Sequence, residues 1–526
     1  MFLCKTTRSF FNICLPKISA QNSTSQTSLA HFPASEQFQH FHTMTNQAIL
    51  LRYFPVWLFM AIAVLSLVLG FNGLYGQDSH EYLRLSKAIF DLWTSHTNSS
   101  ISSYTEFGIG YPATGALLQY LVGNARLGLQ ILSWFSFGMS AWIMNQILAV
   151  ISHGSRADSR FVFILLSMVA APVFLHSGFV IMSDAFALML TLAAFFYGLR
   201  WIEYEREPDT IWAAICITLA ISVRLSLAPL LIPLGLILSW FLFERGNYFY
   251  LAGVWLAALG VLLFNFVCEN NPLLHPFQHS NLHWSFSHFW QRSFQFESGL
   301  TSYAFPNILY LFFPLMHPGF CVVLPGLYFL AKKTDLTLPA KKTILFCLVP
   351  YLLLIGGLPH QNLRFLLPVY MMVLLIAFPA WDRLYCYGLY FFKRLTWAIL
   401  LVSFTLQIVF CVRILTPTIK RNRLEQSTAK SIRPLIPEKS TLYGFDLDIA
   451  MRTYLPEINH KNLWEEEYTN FTPGAFVLFN PEALKTQWEG LNPMINWENL
   501  NSRYKLETVQ TLENGWTLYQ IADATY

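Results

Sequence analysis

The sequence predicts a polytopic α-helical membrane protein of about eleven transmembrane helices, followed by a small extracytoplasmic α/β domain. Hydrophobic residues make up 54% of the 526 and charged residues only 12%, where soluble domains carry about 25%. The apolar residues are gathered in runs long enough to cross a bilayer, and the charged ones fall between those runs and near the C-terminus. A soluble chain could not bury this much apolar surface. The net charge of +4 is too small, and the basic residues too dispersed, for a nucleic-acid partner.

Residues 1–45 are rich in Ser, Thr, Gln and Asn, with Lys5, Arg8 and Lys17 against the single acid Glu36. That composition is presequence-like and is expected to be disordered and without function; Met44 is an alternative start just before the first span. Within the expected membrane region, 46–415, apolar runs fall at 54–72, 128–150, 161–177, 184–201, 210–223, 226–243, 249–267, 306–330, 343–358, 365–381 and 396–415. Segment 112–124, thirteen residues with Pro112 and two glycines, fits an interfacial or re-entrant piece better than a span.

Basic residues set the sidedness. Arg156 and Arg160, Lys332 to Lys342, and Arg383 to Arg394 occupy three connections that all become cytoplasmic if eleven spans begin with the N-terminus inside. The same count places loops 72–127 and 268–305 and the C-terminal region outside. From about 420 the chain turns polar, and Thr441–Phe445, Ala475–Phe479, Lys505–Gln510 and Trp516–Ile521 read as strands, the last two joined by a turn at Glu513-Asn514-Gly515. Residues 420–526 suffice for one small α/β domain. The eight cysteines show no metal or disulfide spacing and are expected as packing thiols, and no Walker or GxGxxG phosphate loop is present.

Charges at the ends of apolar runs are the candidate site. Asp78 follows the uncharged run Phe54–Phe71 and opens an amphipathic segment in which Leu85, Ala88, Ile89 and Leu92 recur at helical spacing. Asp184 opens another run on the same expected side, where a charge must face water or a partner. Helix capping competes with catalysis for both acids. Arg224 lies between two runs and Arg364 opens a third, after His360; arginine is suited to bidentate hydrogen bonding of phosphate, while snorkelling at a helix end is the alternative. His275, His279, His283 and His288 stand among Trp284, Trp290 and several Phe. Their spacing can build a metal site, but an aromatic loop closing over a lipid tail fits better.

Taken in order, Asp78-x-x-x-Tyr82, the amphipathic helix, Gly110-Tyr111-Pro112, Met182-Ser183-Asp184-Ala185 and the His360–Pro368 stretch resemble the GT-C superfamily of integral-membrane glycosyltransferases. The branch they look most like contains the protein O-mannosyltransferases and lipid A aminoarabinose transferases (glycosyltransferase family 39-like). The resemblance implies transfer of a hexose or pentose from a polyprenyl-phosphate donor to a lipid, glycan or protein hydroxyl, with inversion, on the extracytoplasmic face of the bacterial inner (plasma) membrane. It implies Asp78 as general base, Asp184 as the second catalytic acid that positions acceptor or base, and Arg364, with Arg224 as a second candidate, as the group that stabilises the departing lipid phosphate. Glu81, Tyr82 and His360 are the further substrate-binding candidates. Ser79 stands where the branch usually has Glu, and Glu81 is the residue that could substitute. No cofactor is expected and no metal ligands are assigned, a divalent cation being the less favoured alternative. A polysaccharide polymerase or ligase, or a lipid-linked substrate transporter, is the competing function.

Overall fold

The computed structural model describes residues 53–95, 108–152, 155–269, 284–296, 299–320, 338–512 and 515–524. Helix α1 (Tyr53–Val68) leads through a loop to α2 (Gly76–Ser95), which covers the amphipathic segment. Leu85 and Ile89 are buried, Ala88 and Leu92 half-buried, and Lys87 and Asp91 exposed, so the helical periodicity read from the sequence is the face that packs. Helix α3 (Gly110–Val122) and α4 (Ala125–Ile151) pack in antiparallel succession behind it. Gly123, at φ +70°, ends α3, and the Asn124 side chain caps α4 by accepting from Leu127 N at 3.0 Å.

The run at 161–177 is not one straight helix. Helix α5 (Ala157–Ile164) passes into a π-turn at Leu165–Val169, and α6 (Pro172–Phe179) leaves at 73° to it. Pro172, which cannot donate to the ladder, sits at the break. Helices α7 (Ser183–Tyr204), α8 (Pro208–Val223), α9 (Ala228–Glu244) and α10 (Tyr248–Glu269) follow as a tightly packed hairpin series. After a two-stranded ribbon, β1 (Ser293–Phe296) and β2 (Gly299–Ser302), come two four-residue helices, α11 (Asn307–Tyr310) and α12 (Phe313–Met316). The expected span at 306–330 is therefore not a continuous helix over its described part, where Pro314 and Pro318 interrupt it. Helices α13 (Leu338–Gly356), α14 (Leu367–Phe391) and α15 (Lys393–Ile432) complete the bundle.

Six helices among the described residues are long and apolar enough to cross a membrane, or seven if the bent pair is one span, with three shorter apolar helices besides. This is an integral, multi-pass membrane protein, and the finer count of eleven does not follow from these helices. The last run also exceeds its expected end. Helix α15 continues for 40 residues through the boundary anticipated at 415–420, so a single rigid rod joins the bundle to the C-terminal domain.

That domain is a five-stranded mixed sheet in the order β4–β3–β5–β7–β6. Strands β3 (Thr441–Gly444), β5 (Phe476–Phe479), β6 (Tyr504–Thr511) and β7 (Thr517–Ala524) match the four expected strands, with Gly515 at φ +83° in the β6–β7 turn. β4 (Asn459–Asn462) was not anticipated, because the polar edge sequence Asn-His-Lys-Asn carries no apolar alternation. Helix α16 (Asp448–Tyr454) crosses between β3 and β4 and packs against α2. Helices α17 (Pro481–Trp488) and α18 (Asn492–Arg503) cover the sheet.

Candidate active site

The four charges at run ends meet. Arg364 donates from Nη1 to Asp78 Oδ2 at 2.7 Å and from Nε to Asp184 Oδ2 at 2.8 Å. The other Asp184 oxygen accepts from Arg224. The result is a chain of alternating charge, Asp78–Arg364–Asp184–Arg224, contributed by α2, the turn before α14, α7 and the end of α8. Its exposure is graded: the Asp184 side chain is 1% accessible, those of Arg224 and Arg364 17% and 22%, and that of Asp78 36%. Asp78 thus stands at the open end of a buried electrostatic array.

Local structure explains how each group is presented. Helix α8 ends at Val223, and Arg224 takes an extended conformation before the 3₁₀ turn Leu225–Leu227, which turns its guanidinium back over the bundle. A second 3₁₀ turn, Leu363–Leu366, starts α14; the Asn362 side chain caps it by accepting from Arg364 N at 3.0 Å. The Arg224 guanidinium also lies 4.8 Å above the Phe365 ring, a cation–π contact that ties the two arginines' elements together. Asp184 lies in the first turn of α7, yet Met182 is the cap residue and no side chain caps it. The Asp184 carboxylate is committed to the arginines rather than to its own helix end. Asp78 likewise points across to Arg364.

Tyr82, His360 and Glu81 divide. Tyr82 is buried with its hydroxyl 2.8 Å from Ser183 Oγ and its ring edge-on to Tyr111 at 5.0 Å, so it supports the start of α7 from beneath. The His360 ring lies 5.4 Å from that of Phe365. Glu81 instead binds Arg84, one helical turn on, with Arg84 Nε at 3.0 Å, and stands outside the ion-pair chain. The Ser79 hydroxyl accepts from Tyr75 N at 2.6 Å and donates to Tyr75 O at 2.8 Å, closing the turn that starts α2.

Gly110-Tyr111-Pro112 has a mechanical part. A Cβ on Gly110 would lie 2.8 Å from Val223 Cγ2 and 3.0 Å from Ser222 Oγ, so glycine lets α3 press against the residues just before Arg224. Sequence reasoning gave no role to His176, whose ring meets Tyr75 edge-on at 5.7 Å on a helix that packs against the Leu363–Leu366 turn. Among the described residues no three His, Cys, Asp or Glu side chains gather as a cation site. His275, His279 and His283 lie outside the described residues, and His288 binds Gly357 O through Nδ1 at 2.8 Å.

No family model and no curated protein matches this sequence. Solved structures do. ArnT from Cupriavidus metallidurans, bound to undecaprenyl phosphate, is similar at a TM-score of 0.58, covering 88% of this chain and 97% of that one at 13% identity. The same protein in the apo state matches to the same extent. The chain shares the fold of ArnT. At that identity the likeness lies in helix order and packing, and it covers nearly the whole length of the neighbour. The resemblance read from the sequence is thereby borne out as overall fold.

Proposed function

We propose that this protein transfers a sugar from a polyprenyl-phosphate donor to an acceptor hydroxyl at the extracytoplasmic membrane surface, inverting the anomeric centre, with Asp78 as general base. The observation that carries the reading is the Asp78–Arg364–Asp184–Arg224 chain: one partly open carboxylate beside two guanidinium groups, on a fold shared with a protein bound to undecaprenyl phosphate.

The chemistry needs an acid-base group and an anion clamp within reach of each other, and the chain supplies both. The acceptor oxygen attacks the anomeric carbon opposite the phosphate, its proton passes to Asp78, and the anomeric C–O bond breaks with its electron pair leaving on the phosphate oxygen. Arg364, with Arg224 behind it, offsets the charge that grows there. The resting arrangement also orders the events. While Arg364 Nη1 is bonded to Asp78 Oδ2, that carboxylate oxygen is occupied and not free to meet an acceptor hydroxyl. A donor phosphate competes for Arg364, and drawing that guanidinium away makes Asp78 available. Asp184, buried and anionic between both arginines, holds them in place throughout. Donor binding therefore precedes base activation.

The test is transfer by the purified protein in lipid, with a polyprenyl-phosphate sugar as donor and a lipid, glycan or peptide hydroxyl as acceptor, together with the lipid-linked sugar profile of cells lacking it. Accumulation of one polyprenyl-phosphate sugar in those cells, and a product of inverted configuration in vitro, is the expected result. Movement of the donor across the bilayer with no transfer would assign a transporter instead.

A further inference from the structure

The helix bearing Asp78 is gripped on its opposite side by the C-terminal domain. Successive helical residues turn by about 100°, so Asp78 and His80 project on nearly opposite faces of α2. Asp78 faces Arg364; His80 is buried against α15 and α16. Its Nε2 lies 3.1 Å from Glu425 Oε2 and its Nδ1 3.0 Å from Thr453 Oγ1, and both the His80 and Glu425 side chains are 1% exposed. A carboxylate only accepts, so Nε2 carries the proton toward Glu425.

The grip continues into the sheet domain. Glu425 Oε1 accepts from Arg421 Nε at 2.8 Å, and Arg421 donates to Asp446 Oδ2 at 2.7 Å and to Asp446 O at 2.7 Å, in the loop after β3. A parallel set holds the chain leading into α2: Asn422 donates to Leu74 O at 2.8 Å and to Asn72 Oδ1 at 2.6 Å, while Asn72 donates to Tyr454 OH at 2.9 Å. A contact needed only for adhesion gains little from buried polar pairs, since apolar residues of similar volume serve as well or better. Directional bonds of this kind fix register.

We propose that His80, Glu425 and Thr453 are positioning residues: they register the C-terminal domain on α2, so that the seating of the domain sets the aim of Asp78 at Arg364. The inference rests on the reading of Asp78 as base. It makes the domain a part of the catalytic alignment rather than an appendage, and gives an acceptor bound on that domain a direct mechanical route to the base.

The experiment uses the full chain in lipid nanodiscs. Glu425→Ala and His80→Ala should each lower kcat about tenfold or more, as small misalignments do, with the donor KM unchanged. The double variant should be no slower than the worse single one, and Glu425→Gln, whose amide oxygen still accepts, should recover most of the rate. Unchanged kcat in folded variants, or losses that multiply, would overturn the proposal. Hydrogen–deuterium exchange gives an arm independent of activity: Thr453→Val, which leaves packing nearly intact, should speed exchange at residues 76–82 and leave α7 unchanged. Should the wild type transfer no sugar, the function reading fails and this exchange measurement still decides the grip; identical exchange in wild type and Thr453→Val refutes it.

Discussion

Neutralising Asp184 should push donor binding and turnover in opposite directions. Its carboxylate is the shared partner of Arg224 and Arg364, and with Asp78 the array holds two cations and two anions. Asp184→Asn keeps the shape and leaves one surplus positive charge. Removing one partner of a fully buried ion pair costs about 3–5 kcal/mol. Here the arginines retain 17% and 22% of their side-chain exposure, so water takes up part of the surplus and about 2 kcal/mol of stability is the expected loss. The same surplus attracts anions. At a few ångströms in an effective dielectric near 20 a unit charge is worth several kcal/mol before screening, so polyprenyl phosphate should bind roughly tenfold more tightly. Arg364, however, must then share the single remaining acceptor oxygen at position 184 with Arg224 and leans more on Asp78, the group it must release. Misplacement on this scale lowers kcat by about 100-fold. Binding of polyprenyl phosphate followed by tryptophan fluorescence, thermal unfolding in detergent and single-turnover transfer measure the three quantities. Weaker phosphate binding together with a proportional loss of rate would refute the reasoning, because it would mean that Asp184 acts on the ligand and not through the arginines.

The other expectations concern packing and pH. Gly110→Ala puts a methyl group against Val223 and Ser222, the residues leading into Arg224; it should cost about 1–3 kcal/mol and lower transfer, whereas an unchanged rate would separate α3 from the site. In the C-terminal domain, burial, only partly offset by Arg452, pushes the Asp448 carboxyl up from 3.8 to about 6. The fold favours its neutral form, so the contribution to stability is full below the unfolded value and is lost as pH rises to about 6. Asp448→Asn should therefore stabilise the full chain at pH 7.5 by up to about 3 kcal/mol and approach the wild type only below the unfolded value of 3.8; a difference that does not vary with pH would contradict this.

How much of this was legible beforehand follows from the range of the interactions. Asp78, Asp184, Arg224 and Arg364 were visible because each is a charge at the end of an apolar run, where lipid tolerates no idle charge. Their convergence was not, since Arg364 meets partners 180 and 286 residues away. Glu81 shows the opposite case. Its pairing with Arg84, three residues on, was a local signal that the family pattern obscured. His80 and Glu425 are 345 residues apart, and Glu425 sits in a stretch whose polarity suggested solvent rather than a buried contact. The strands with apolar alternation were readable, and the polar edge strand β4 was not. The break between α5 and α6 had a local sign in Pro172, but its 73° angle depends on what α6 packs against.

The central claim is that Asp78 takes the acceptor's proton, and Asp78→Asn tests it most directly. The amide preserves size and can still accept from Arg364, but it cannot hold a proton at neutral pH. The measurement is single-turnover sugar transfer at saturating donor, beside polyprenyl-phosphate binding by the same preparation. Transfer should fall by about 100-fold or more, with the donor bound at least as tightly as in the wild type. Transfer at the wild-type rate by a folded, donor-binding Asp78→Asn protein would contradict the account.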